Sequence, residues 1–226
     1  MGEDFKVKEN QNKSKASYGV LAILMIGAFV ALLSNTLLNI ALPSLMKEFD
    51  VSASTVQWLM TGYMLVNGVM IPSTAFLIQK YTARRLFLIA IGLFAIGTLI
   101  GGFAPSFPIL LTARMVQASG AAIMMPLLMN VLFTTFPPEK RGSAMGMFGL
   151  VMIFAPAIGP TLSGWIIQHY DWPVIFHIIS PVAILVFILA LFKLHDKKEE
   201  VEIKLDVLSI ILSAIGFGGI LYGFSS

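Results

Sequence analysis

The strongest constraint in this chain is a succession of seven apolar runs, each about as long as a bilayer is thick, separated by short polar loops. A helix needs roughly 20 apolar residues to cross the ~30 Å hydrocarbon layer. The runs lie near Tyr18–Leu42, Val56–Ile78, Leu86–Phe103, Pro108–Phe133, Gly142–Gln168, Pro173–Leu194 and Leu205–Phe224. Backbone inside lipid must satisfy its own polar groups, so each run is expected to be a helix and the chain an all-α membrane protein. The first run is longer than the ~7–15 residues of a signal-peptide core, and no small-residue cleavage site follows it, so it reads as a retained span. Ser54-Thr55-Val56-Gln57 fits a capping box and predicts where the second helix starts.

Composition agrees. Only 12% of the 226 residues are charged and 57% are hydrophobic, whereas soluble domains carry about 25% charge. The net charge of +3 does not point to nucleic acid, because the basic residues sit in short loops and form no continuous patch. There is no cysteine, and the 3 histidines (His169, His177, His195) have no metal-ligand spacing. No phosphate loop, dinucleotide fingerprint, nucleophile elbow or pair of carboxylates within a span suggests an enzyme.

Orientation follows from lysine and arginine. The N-terminal tail holds Lys6, Lys8, Lys13 and Lys15, and alternate loops hold Lys80, Arg84 and Arg85, then Lys140 and Arg141, then Lys193, Lys197, Lys198 and Lys204. The opposite loops hold Lys47 alone. The positive-inside rule therefore places the N-terminus in the cytoplasm. Trp58, Tyr170 and Trp172 fall near the outer interface, where amphipathic rings anchor.

Arg114 is the one charge inside a run. At the membrane centre a charge costs about 2.5–3.5 kcal/mol, so Arg114 is expected to face protein or water as a functional group, with snorkelling to the interface as the alternative. Gln117 follows at i+3 on the same helix face. Ser34, Asn35 and Asn39 in the first span, and Tyr63 and Asn67 in the second, either line a cavity or hydrogen-bond a neighbouring helix. In the fifth span Ala155, Gly159 and Ser163 recur every four residues as a ridge for close packing, while Pro156 and Pro160 remove backbone donors and suggest a hinge. Gly97 and Gly101 make a similar but shorter pair in the third span. None of the 12 acidic residues falls inside a span, so this chain offers no buried carboxylate as a proton carrier.

These motifs resemble the major facilitator superfamily, specifically its fourteen-span drug:proton antiporter branch. The stretch Leu33-Ser34-Asn35-Thr36-Leu37-Leu38-Asn39-Ile40-Ala41-Leu42-Pro43 is similar to the signature L-D-x-T-I-V-N-V-A-L-P, with Ser34 where the branch often has Asp. Arg114-Met115-Val116-Gln117-Ala118-Ser119-Gly120-Ala121-Ala122 is similar to R-x-x-Q-G-x-G-A-A, which implies proton coupling through Arg114 with Gln117 as helper. Ala155–Pro160 with Ser163-Gly164 is similar to the antiporter motif G-P-x-x-G-G, which implies export and a hinge at Pro156, Gly159, Pro160 and Gly164. The loop Gln79–Arg85 corresponds to the cytoplasmic gating loop D-R-x-G-R-R; Lys80, Arg84 and Arg85 keep its basic half, but the acid and the central glycine are absent. The loop is most similar to that of Gram-positive exporters of the lincomycin-resistance type.

The resemblance implies a six-helix bundle at 18–194 made of two three-helix inverted repeats, preceded by a basic cytoplasmic tail at 1–17. A cytoplasmic linker at 195–204 and a seventh transmembrane helix at 205–226 follow. It further implies a multi-pass protein of the cell membrane that exports drugs or other amphiphilic small molecules on the proton gradient, without a cofactor. The substrate would pass between this bundle and a C-terminal half of the same transporter, with Ser34, Asn35, Asn39, Tyr63 and Asn67 lining the cavity. The rival expectations are a non-transporting remnant, a half needing a partner, and a lipid or metabolite transporter of the same superfamily.

Overall fold

The computed structural model describes the backbone of residues 2–194 and 216, with side chains from residue 19 onward in that range. The expected linker at 195–204 and, but for Gly216, the seventh span lie outside the described residues. The elements are α1 (Gly2–Glu48), α2 (Ala53–Val56), α3 (Trp58–Lys80), α4 (Ala83–Gly102), α5 (Phe107–Thr135), α6 (Pro138–His169) and α7 (Pro173–Lys193). Among the described residues, six spans are long and apolar enough to cross a membrane, with α2 and α3 together forming the second. The first helix begins at Gly2, so the segment read as a tail is continuous in backbone with the first span.

Local chemistry sets the helix starts. The residue capping α2 is Ser52, not the expected Ser54: the Ser52 hydroxyl accepts from the Thr55 amide at 3.1 Å. The reason lies upstream, where Asp50 takes a left-handed turn (φ 49°) that delivers Ser52 in the extended conformation an N-cap requires. Thr82 caps α4 in the same way, accepting from the Arg85 amide at 3.3 Å. Its φ of −68° is open to any residue, so this loop does without the glycine of the motif it resembles. Pro138 and Pro173 open α6 and α7 in the first turn, where an N–H has no partner within the helix and its loss is harmless.

The helices pair by an internal symmetry. The principal packings are α4 on α5, α3 on α5, α1 on α6, α4 on α7, α1 on α7 and α1 on α5. Exchanging α1 with α5, α3 with α6 and α4 with α7 turns this set into itself. That is the arrangement of two three-helix repeats, and the expected bundle is the one observed. The core is built from Leu24, Leu38, Phe87, Phe94, Leu128 and Phe176, all almost wholly enclosed. Outward faces carry Ile153, Leu185 and Phe192, apolar groups for which lipid is the natural solvent. Trp172 is buried rather than anchored at the interface: its ring packs 5.5 Å from Phe49 and 6.1 Å from Phe176. Trp58 and Tyr170 are exposed.

Glycines set the closest crossings. A Cβ at Gly97 would lie 2.6 Å from the Gln117 backbone nitrogen, and one at Gly120 would lie 2.7 Å from the Phe94 nitrogen, so α4 and α5 touch backbone to backbone. The ridge Ala155–Gly159–Ser163 is buried against α1. There a Cβ at Gly159 would lie 2.7 Å from the Cβ of Thr36, and the Ser163 hydroxyl donates to the Leu37 carbonyl at 2.7 Å.

Candidate functional site

Three helices converge on the side chain of Gln117. Arg114 and Gln117 occupy one face of α5, three residues apart, and the Arg114 Nη1 donates to the Gln117 Oε1. The other terminal nitrogen, Nη2, donates across to the Asn35 Oδ1 of α1 at 2.8 Å. The Gln117 Nε2 donates twice, to the Thr98 Oγ1 of α4 at 2.8 Å and to the Ser34 Oγ of α1 at 3.1 Å. Above the guanidinium lies the ring of Tyr63 from α3, its centroid 4.3 Å from the Arg114 Cζ. Arg114 is 1% exposed, and Gln117, Ser34, Thr98 and Tyr63 are buried with it. Snorkelling is therefore not what Arg114 does; its head group turns into the bundle.

The cluster is unusual in its charge. Among the described residues within the spans, no carboxylate faces the guanidinium, and its contacts are neutral amides and an aromatic face. Neutral acceptors orient a guanidinium without cancelling its charge, so the site presents a fixed positive charge in a low-dielectric setting, held from α1, α3 and α5.

The remaining expected residues divide. Asn67 is half-buried and donates to the Tyr63 carbonyl at 3.0 Å, one turn back in its own helix. Asn39 is exposed, one turn beyond Asn35 on α1. Gly159 packs on Thr36, the residue after Asn35, so the α6 crossing sits directly beside the cluster. Pro156 and Pro160 lie inside the continuous helix α6 on its exposed face, and Gly164 has open space around it. The basic loop is elsewhere, at the junction of α3 and α4. There the Arg84 Nη2 donates to the Leu191 carbonyl near the end of α7 at 3.2 Å, where a helix C-terminus favours a cation. Lys80 and Arg85 both lie over the Tyr81 ring, at 5.5 and 5.2 Å.

Thr98 was not singled out in the sequence. A lone threonine in an apolar run carries no signal, because its hydroxyl ordinarily returns to its own helix. Here it does that too, donating to the Phe94 carbonyl at 2.7 Å. The adjacent Gly97 was the available clue, since close helix contact at that point brings Thr98 against Gln117.

The chain is similar to several known proteins. The chain is 55% identical over 207 residues to the uncharacterized MFS-type transporter YcnB of Bacillus subtilis, covering 92% of this chain and 44% of the relative. It is 46% identical over 223 residues to the lincomycin resistance protein LmrB of Bacillus subtilis, covering 97% of this chain and 47% of the relative. It therefore spans less than half the length of these curated relatives. Among solved structures, a peptide transporter POT in complex with sulfate superposes with a TM-score of 0.71 at 12% identity, covering 90% of this chain and 44% of that one. That likeness concerns the fold alone. Residues 24–226 match the Major Facilitator Superfamily, and with six spans paired as two exchangeable triplets around a buried arginine, this multi-pass membrane chain belongs to that family.

Proposed function

We propose that this chain is the N-terminal half of a proton-coupled exporter of drugs or other amphiphilic small molecules, working by alternating access together with a C-terminal half. The observation that carries this reading is the 46% identity, over nearly the whole chain, to a protein named for lincomycin resistance. A membrane transporter confers resistance by lowering the concentration of the compound inside the cell. The small-residue and proline stretch of α6, similar to the antiporter motif, supports the outward direction. The N-terminus is cytoplasmic, from the concentration of Lys and Arg in one set of loops. Helices α3 and α6 are the least buried of the spans, which suits them to line the cavity between halves. Arg114 is the coupling residue in this reading, Gln117 its helper, and Asn35, Asn39 and Asn67 border the substrate path. The proton gradient supplies the energy and no cofactor takes part.

The test is Arg114→Ala in the full-length protein, expressed in cells sensitive to lincomycin. Efflux should be lost while the protein still reaches the membrane in normal amount. Unchanged efflux removes Arg114 from the mechanism.

A further inference from the structure

The side chain of Gln117 can face Arg114 in two ways, presenting either its carbonyl or its amide group. Only the first is productive, because a guanidinium nitrogen donates and cannot accept. What selects it is found on α4. The Thr98 hydroxyl has one proton, and that proton goes to the Phe94 carbonyl at 2.7 Å, an atom that can only accept. Toward Gln117, 2.8 Å away, the same hydroxyl can therefore only accept, so the group it meets must be the NH2 end of the carboxamide. The Ser34 hydroxyl on the same nitrogen, at 3.1 Å, tolerates either end, since its own proton is free to turn. Of the two hydroxyls on the far side of the carboxamide from Arg114, the discriminating contact is the one from Thr98.

We propose that Thr98 is a positioning residue for the Arg114 site: through its commitment to Phe94 it fixes the Gln117 carboxamide with its oxygen toward Arg114 Nη1, leaving Nη2 to reach Asn35 on α1. This rests on the reading of Arg114 as the coupling residue. The local sequence is suited to the task. Gly97 lets the α4 backbone lie against α5 at Gln117, and without that approach a hydroxyl as short as that of Thr98 could not reach the amide. Thr98 is fully enclosed, so no solvent competes for the bond.

The experiment compares two substitutions in the full-length protein. Thr98→Val keeps the shape and removes the hydroxyl; Thr98→Ser keeps the hydroxyl and removes the methyl group. Efflux is followed with whichever of lincomycin, ethidium and riboflavin the unaltered protein exports. Losing a buried acceptor of this kind corresponds to about a tenfold effect. Thr98→Val should lower Vmax by that factor with KM changed less than about twofold, and Thr98→Ser should retain most of the wild-type rate. If Thr98→Val does not accumulate in the membrane, Thr98→Ala against Thr98→Ser makes the same comparison. The proposal is overturned if Thr98→Val transports like wild type, or if Thr98→Ser is as impaired as Thr98→Val, which would make packing the cause. Arg114→Ala run alongside separates the two levels. Loss of efflux there with wild-type behaviour in Thr98→Val removes only the role of Thr98, while wild-type efflux in Arg114→Ala removes the coupling reading beneath it.

Discussion

Replacing Gly97 by alanine should be far more damaging than the same change at Gly92, one and a half turns away on the same helix. A Cβ at position 97 would stand 2.6 Å from the Gln117 nitrogen, 2.7 Å from the Ala113 oxygen and 2.9 Å from the Gln117 Cα, all backbone atoms that no rotamer change can move. Ordinary contact begins at 3.4 Å, so α4 must withdraw from α5 by about 0.8 Å. Carried to the neighbouring residue, that displacement stretches the 2.8 Å bond from Gln117 to Thr98 to about 3.6 Å, where it no longer counts as a hydrogen bond. Overpacking costs about 1–3 kcal/mol and the lost buried bond about 1 kcal/mol more. The better helix propensity of alanine returns up to about 1 kcal/mol. The net expectation for Gly97→Ala is a loss of about 1–3 kcal/mol. At Gly92 the new methyl group would meet only the Phe187 ring, at 3.4 Å, so the propensity gain stands alone and the variant should be neutral or stabilised by up to about 1 kcal/mol. Reversible unfolding of the full-length protein in mixed micelles measures both. Unfolding free energies for the two variants agreeing within about 0.5 kcal/mol would refute the backbone-contact account of the α4–α5 crossing.

Two further outcomes are expected. Thr82→Ala should cost about 1 kcal/mol of stability in the same titration while Thr82→Gly costs only a few tenths, because glycine is a fair N-cap and alanine a poor one; equal losses would mean the Thr82 hydroxyl does not cap α4. Ser34→Asp, linked to Arg114 through the Gln117 carboxamide, should be tolerated but should cost about 3–5 kcal/mol when combined with Arg114→Gln, which strands the new carboxylate; additive effects in that double-mutant cycle would show that positions 34 and 114 do not communicate.

Much of this architecture is legible in the chain because lipid leaves the backbone few choices. Apolar runs of spanning length must be helices. Arg114 and Gln117 were readable as a pair from their i, i+3 spacing, and the pair is joined in the structure. What the sequence could not decide was reach. Asn35 and Asn39 share a face in the pattern, yet only Asn35 stands level with Arg114, a matter of how far α1 is shifted along α5. Ser52, Ser54 and Thr55 all had the chemistry of a cap, and the choice fell to the turn at Asp50, which no capping pattern includes. Thr98 escaped notice for a similar reason: its role depends on the separation of two helix axes, which Gly97 and Gly120 set jointly from different helices.

Glycine and the buried polar groups are thus parts of one construction. A serine or threonine hydroxyl extends little beyond its own helix, and between helices at ordinary spacing of about 8–10 Å it satisfies itself on the carbonyl four residues back. Thr74 does so on Met70, within α3. Hydroxyls contact a neighbouring helix where glycine has drawn the axes together, as at Thr98 beside Gly97 and Ser163 one turn from Gly159, or where a longer side chain reaches them, as Gln117 reaches Ser34. The first contact ties α4 to α5, the second ties α6 to α1, and the Arg114 bond to Asn35 joins α5 to α1. Four of the six described spans are therefore linked by short polar contacts around one charge. A rearrangement at Arg114 cannot stay local: releasing Gln117 frees a buried carboxamide, and releasing Asn35 leaves the enclosed Arg114 Nη2 without its acceptor. The bundle should then respond by moving α1 and α5 as packed units rather than by flexing either helix alone.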